Sequence, residues 1–213
     1  MDLLLDSPEV RVLGSLLEKE ITTPEYYPLS LNALVNACNQ KSNRDPAVHY
    51  DDRTVEDALE RLRDKGLLTT VTGAGSRVPK YGHRISEKLN LGRRELAILC
   101  ELMLRGPQTL GELRGRTERL HEFGDTTEVE SVIEQHMTEL VVKLPRRPGE
   151  KESRYAHLLS GEPAASAGAD EIPSEEAPAR HDRVGALESE ITLLRGEVEA
   201  LKQQFAEFRK QFE

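Results

Sequence analysis

The chain carries one module twice, and that repetition constrains its fold more than any other feature. Pro28-Leu29-Ser30-Leu31-Asn32-Ala33-Leu34 returns as Pro107-Gln108-Thr109-Leu110-Gly111-Glu112-Leu113. Upstream, Glu9, Val10, Val12 and Leu13 match Glu95, Leu96, Ile98 and Leu99. Downstream, Val55-Glu56 matches Val129-Glu130, and Lys80-Tyr81-Gly82-His83 matches Arg154-Tyr155-Ala156-His157. The spacing between copies shrinks from 86 residues at Glu9 and Glu95 to 74 at Lys80 and Arg154, so the copies differ by insertions in their loops. A small module used twice is more often a binding platform than a catalyst.

Each copy reads as three helices followed by a β-hairpin. In the first, Ser7-Pro8-Glu9 suits a helix start with Ser7 as cap, and Val10, Leu13, Leu16 and Leu17 recur at helical spacing. Ser30 caps a second helix to about Gln40. A third spans about Thr54 to Lys65 and ends at Gly66 in the manner of a C′ glycine. Leu67 to Thr72 and Arg77 to Arg84, joined by Gly73-Ala74-Gly75, form the hairpin. In the second copy Thr109-x-x-Glu112 and Thr127-x-x-Glu130 read as capping boxes, and Pro148-Gly149 turns the hairpin.

Three helices and a hairpin make a winged helix, a variant of helix-turn-helix. The expected fold class is therefore mostly α with small β-hairpins (α+β): two tandem winged-helix domains, residues 1–88 and 89–160. A Pro-, Ala-, Glu- and Gly-rich stretch, 161–180, reads as a flexible linker. A C-terminal coiled-coil helix follows over 181–213.

Leu29-Ser30-Leu31-Asn32-Ala33-Leu34, Ala37-Cys38-Asn39-Gln40-Lys41-Ser42-Asn43-Arg44-Asp45-Pro46 and Leu120-His121-Glu122-Phe123 are specific runs. On these the sequence resembles, over about residues 7–160, the YceH-like family of uncharacterised bacterial proteins. The resemblance implies two winged helices in tandem and no established activity.

In the tail, Val184, Leu187, Ile191, Leu194, Val198, Leu201, Phe205 and Phe208 alternate spacings of three and four. β-Branched residues at a and leucines at d favour a parallel two-stranded coil. With Glu190 set against Arg195 and Glu197 against Lys202 of the second strand, the expectation is a homodimer. The alternative is a single amphipathic helix folded back on the globular part.

Charge bears directly on nucleic-acid binding. The formal net charge is −9, yet residues 1–160 together are near neutral and the tail carries about two-thirds of the excess acid. The third helices suit base readout poorly. The first mixes Arg53, Arg61, Arg63 and Lys65 with six acids, and the second, read over Thr127 to Leu140, holds four glutamates and no Lys or Arg. The wings and loops are cationic instead. Arg77, Lys80 and Arg84 lie in the first wing, Arg146, Arg147 and Lys151 in the second. Arg114 follows the second capping box, and Lys41, Asn43 and Arg44 sit in a polar loop absent from the other copy. These are the candidate nucleic-acid or partner contacts. They suit phosphates, which give affinity and salt dependence but little sequence reading. Turn and cap chemistry is the competing role for the Asn39–Pro46 loop.

No catalytic constellation is present, and the six histidines form no metal-ligand spacing with acids or cysteines, so no cofactor, metal or enzymatic activity is expected. Cys38 and Cys100 fall in helices of different modules and read as reduced core residues. No apolar stretch is long enough to cross a bilayer and no signal peptide is apparent, so the expected setting is cytoplasmic. Two functions remain: a DNA-associated, transcription-regulator-like protein using basic wings, and a non-enzymatic scaffold that binds protein through its acidic third helices.

Overall fold

The structure, a computed structural model, describes residues 3–72, 78–146 and 149–163. Arg77, Arg147 and the whole tail seam from Val184 to Phe208 lie outside the described residues. The fold is mixed α/β. The first repeat runs α1 (Ser7–Thr22), a 3-10 turn (Pro24–Tyr26), β1 (Leu29–Ser30), α2 (Leu31–Cys38), α3 (Asp52–Asp64), β2 (Leu68–Val71) and β3 (Lys80–His83). After a short connecting helix α4 (Ile85–Leu89), the second runs α5 (Arg93–Arg105), α6 (Leu110–Thr117), α7 (Thr126–His136), β4 (Val141–Lys143) and β5 (Tyr155–His157).

The two repeats agree residue by residue in strand register. In the first, an antiparallel sheet of order β1-β3-β2 pairs Leu29 with Tyr81 and Leu68 with His83. In the second, β4 and β5 pair Val141 with His157, and Gln108 bridges Tyr155 where β1 meets β3 in the first copy. The Lys80 and Arg154 motifs identified as equivalent therefore occupy equivalent strands.

Several helix boundaries move by a few residues, for local reasons. Asp6, not Ser7, caps α1: its side chain accepts from the Glu9 N–H while the Glu9 carboxylate accepts from the Asp6 N–H. Asp51 caps α3, which starts two residues before Thr54. Ser30 caps α2 as its sequence suggests, but the helix stops at Cys38. The box at Thr109 and Glu112 forms. The one at Thr127 and Glu130 does not, because Asp125 caps α7 through the Glu128 N–H, and Glu130 meets Lys143 and Tyr155 of the β4–β5 hairpin instead. α7 also ends at His136, leaving Glu139 in the turn beyond it.

The core is shared between the repeats. α1 and α5 lie at its centre, and residues 9–18 and 95–104 are buried around their full circumference. Such helices lack the polar outer face of a surface helix. Gly14 permits the close approach: a Cβ there would lie 3.0 Å from Leu104 Cδ2 and 3.2 Å from Met103 Cβ. Leu13, Leu16, Leu17, Ile98, Leu99 and Leu102 are fully enclosed around this crossing. The described residues accordingly lie in one compact unit. Among the described residues no helix is long and apolar enough to cross a membrane.

Candidate functional site

The hairpin of the second repeat and the starts of two helices line a groove of about 280 Å³. Leu110 and Gly111 of α6 and Thr126 of α7 form one side, and Lys143, Arg146 and Lys151 of the hairpin face them, with Tyr155 and Glu152. β4 and β5 pair Val142 with Ala156, and the cations lie on β4 and on the segments that flank this pair. Arg146 and Lys151 are exposed and make no ion pair among the described residues. The exposed Lys143 is partly committed. Its Nζ lies 3.0 Å from Glu130 Oε1 and 5.4 Å from the centre of the Tyr155 ring. The Tyr155 hydroxyl donates to the same Glu130 oxygen at 2.9 Å. The hydrogen bonds from Lys143 and then Tyr155 hold the Glu130 carboxyl below its ordinary range, and Tyr155 and then Glu130 hold the Lys143 ammonium above its own. Glu130, one of the glutamates of the third helix, is thus paired with the hairpin.

The other candidate cations divide by location. Lys41 is exposed, and Lys80 is half-buried in the sheet. Arg84 is exposed but pairs with Glu87 at 2.8 Å. Arg114, also exposed, donates to the Phe123 carbonyl at 3.4 Å. Arg44 is not a surface cation. Its side chain is 0% exposed and binds Glu18 of α1 at 2.6 Å, while also donating to the carbonyl of Ala37. Asn43 takes a left-handed φ of 60° and accepts from Arg105 of α5.

The Asn39–Pro46 loop is consequently a clasp. Arg11 of α1 donates to the Pro46 carbonyl at 2.6 Å, Asn39 exchanges two 2.8 Å hydrogen bonds with the Tyr50 backbone, and the Asp45 N–H donates to the Leu104 carbonyl of α5 at 2.9 Å. Beneath the loop, Glu18 also meets Arg119 from the end of α6, and Arg119 reaches Glu101 of α5 at 3.4 Å. Glu101 pairs in turn with Arg105 at 2.8 Å. Burial would raise the Glu18 carboxyl, but Arg44, then Arg119 and Lys19, outweigh it and bring it to about 2. Glu101, with only part-exposed arginines opposite, is pushed up by burial. The charges bind elements from both repeats into one buried network, as unpaired buried charges would be prohibitively costly.

His83 and His157 hold matching places but differ. His83 Nε2 lies 2.8 Å from Glu20 Oε2, whereas burial alone pushes His157 down to about 4 and its Nδ1 has no partner. Cys38 and Cys100 are free and buried, and burial pushes both thiols up, Cys38 to about 11. No group of three His, Cys, Asp or Glu among the described residues could hold a metal ion. Sequence reasoning missed Arg11, Glu18 and Glu101 as network members because their partners lie far away in the chain or on another helix. The one available signal was a charged residue breaking an otherwise apolar helical surface.

Comparison with known proteins gives a consistent picture. Residues 5–150 match the family model described as protein of unknown function, DUF480. A UPF0502 protein of Solibacter usitatus is 55% identical over 215 residues, covering 100% of both chains. One from Citrifermentans bemidjiense is 56% identical over 195 residues, 90% of each, and one from Geobacter sulfurreducens 52% over 220 residues, 100% of each.

Proposed function

The chain belongs to the DUF480 family, and we propose that it is a tandem winged-helix protein that associates with DNA through phosphate contacts from its second wing. The observation that carries this reading is the convergence of Lys143, Arg146 and Lys151 on one groove beside the starts of α6 and α7. The winged-helix assignment is supported by the helix-strand-helix-helix-strand-strand order, by the antiparallel β1-β3-β2 sheet, and by the Gln108–Tyr155 bridge that repeats it. α7 holds no Lys or Arg, so it contributes no cation to a groove, and binding is to the backbone with little sequence preference. The protein is non-enzymatic in this reading and works in the cytoplasm. It dimerises through the seam from Val184 to Phe208, which light scattering on the whole chain and on a chain ending at Gly161 tests directly.

The DNA test is fluorescence anisotropy with a random duplex at rising salt. Binding that weakens steeply with salt, and is lost in Arg146→Glu/Lys151→Glu, is the expected result. No binding at about 50 mM salt rejects the proposal. One observation favours protein scaffolding as a second reading: Glu56, Asp57 and Glu60 on the outer face of α3 are exposed and have no ion pair among the described residues. Retained DNA binding in the wing variant, or loss of a protein partner in Glu56→Lys/Glu60→Lys, would separate the two.

A further inference from the structure

The two repeats place a glutamate and a tyrosine at matching positions, but only the second sets a lysine beside them. Glu56 of α3 and Glu130 of α7 are equivalent, as are Tyr81 of β3 and Tyr155 of β5. Lys143 stands opposite Tyr155 across the second hairpin, whereas Thr70 stands opposite Tyr81 in the first. Glu56 is exposed and makes no ion pair among the described residues. Glu130 is half-buried, and its Oε1 accepts from Lys143 Nζ at 3.0 Å and from the Tyr155 hydroxyl at 2.9 Å. The fold does not require this contact, because the first repeat adopts the same strand register without it.

Glu130 sits as a counter-ion held from one side and open on the other. Tyr155 is 2% exposed, so its ring is fixed in the core and its hydroxyl anchors the carboxylate. The Lys143 side chain is 55% exposed, which leaves its ammonium within reach of an anion from solvent. Arg146 and Lys151 line the same groove and make no ion pair among the described residues. A phosphate arriving there meets two free cations and one already occupied.

We propose that Glu130 is an internal competitor for phosphate at Lys143, held in place by Tyr155, and that DNA binding exchanges it for a backbone phosphate. This regulation rests on the reading of the second wing as a phosphate-contacting groove. The exchange gives Lys143 a new contact, but the released carboxylate takes up a cation of its own. That uptake offsets one counter-ion released from the DNA. Glu130 thereby lowers both the affinity and the salt dependence below what the three cations would give alone. Tyr155 is a positioning residue that acts through it.

Fluorescence anisotropy of the whole chain with a random duplex, at rising salt, tests this in four forms: wild type, Glu130→Gln, Tyr155→Phe and Glu134→Gln. Glu134 is an exposed acid of the same helix that does not line the groove, so its variant controls for the loss of one charge. Glu130→Gln should bind about two- to fivefold tighter at low salt and steepen the slope of log affinity against log salt by as much as about 0.9. Tyr155→Phe, which keeps the ring in the core, should shift both quantities the same way by less. Glu134→Gln should leave the slope unchanged. If the wild type binds and Glu130→Gln matches it in affinity and slope, the competitor role is overturned while the DNA reading stands. Equal effects of Glu130→Gln and Glu134→Gln overturn it too, as a matter of net charge alone. No binding by any form removes the DNA reading and this inference together. Circular dichroism checks that each variant is folded, and Tyr155→Phe decides the matter should Glu130→Gln unfold.

Discussion

Arg44 and Glu18 form an ion pair with no solvent contact on either side chain, Nη2 to Oε2 2.6 Å, joining the loop after α2 to the helix at the centre of the core. Nε and the same Nη2 of Arg44 also donate to the Ala37 carbonyl, so the cation is held by backbone as well as charge. Replacing it by Ala leaves Glu18 buried opposite only the part-exposed Arg119 and Lys19. Arg44→Ala should therefore destabilise by about 3–5 kcal/mol, measured by urea unfolding. The double variant Arg44→Met/Glu18→Leu, which removes both charges, should cost clearly less than the single one.

Gly14 of α1 lies against Leu104 and Met103 of α5. Gly14→Ala improves helix propensity by about 1 kcal/mol but drives a methyl to 3.0 Å from Leu104 and 3.2 Å from the Met103 Cβ. Overpacking of this kind typically costs about 1–3 kcal/mol, so the net effect is destabilising, and Gly14→Val should be worse. A rise in melting temperature for Gly14→Ala would contradict the packing described for this crossing.

The caps of α7 offer a sharp contrast. Asp125→Ala removes the acceptor for the Glu128 N–H and should cost about 1 kcal/mol. Thr127→Ala, at the position whose sequence reads as a cap, should cost at most a few tenths of a kcal/mol. Paired thermal melts of the two variants distinguish the assignments.

Acid should destabilise the protein in two steps. His157 is held neutral in the fold, pushed from 6.5 down to about 4 by burial. The unfolded chain therefore binds more protons between those values, and stability present above pH 6.5 is lost as pH falls toward 4. The loss is on the order of 1–3 kcal/mol, and His157→Gln should flatten this part of the curve. Below 4.5 the lowered Glu18 carboxyl adds a second loss as pH falls toward 2. Glu101, raised by burial, opposes the first loss in part, because its protonation above pH 4.5 relieves a cost of folding.

If DNA is bound, the salt slope reports the wing. Each phosphate contact contributes about 0.9 to the slope of log affinity against log salt. Arg146→Gln and Lys151→Gln should each reduce it by about that amount, whereas Lys143→Gln should reduce it less, since Glu130 already occupies that ammonium. Equal effects for all three would refute the pairing seen in the groove.

The repeat, the helix stripes and the hairpins were legible because their signals are local. Val10, Leu13 and Leu17 fall one helical turn apart whatever surrounds them, and Tyr81 and Tyr155 recur at matching places in two copies that adopt one register. Caps were partly legible: Ser30 and Thr109 act within three residues, while the choice of Asp125 over Thr127 depended on Glu130 finding Lys143 and Tyr155.

The sequence by itself determined two copies of one element order and the apolar faces that must be buried. Only the tertiary structure decided which polar residues join them in the interior. Arg44 lies 26 residues from Glu18, and Arg119 lies 101 residues from it. Neither separation has a periodicity to betray it. Whether an arginine meets water or a buried carboxylate is set by how α1 and α5 cross, and that crossing exists only once both repeats have folded against each other.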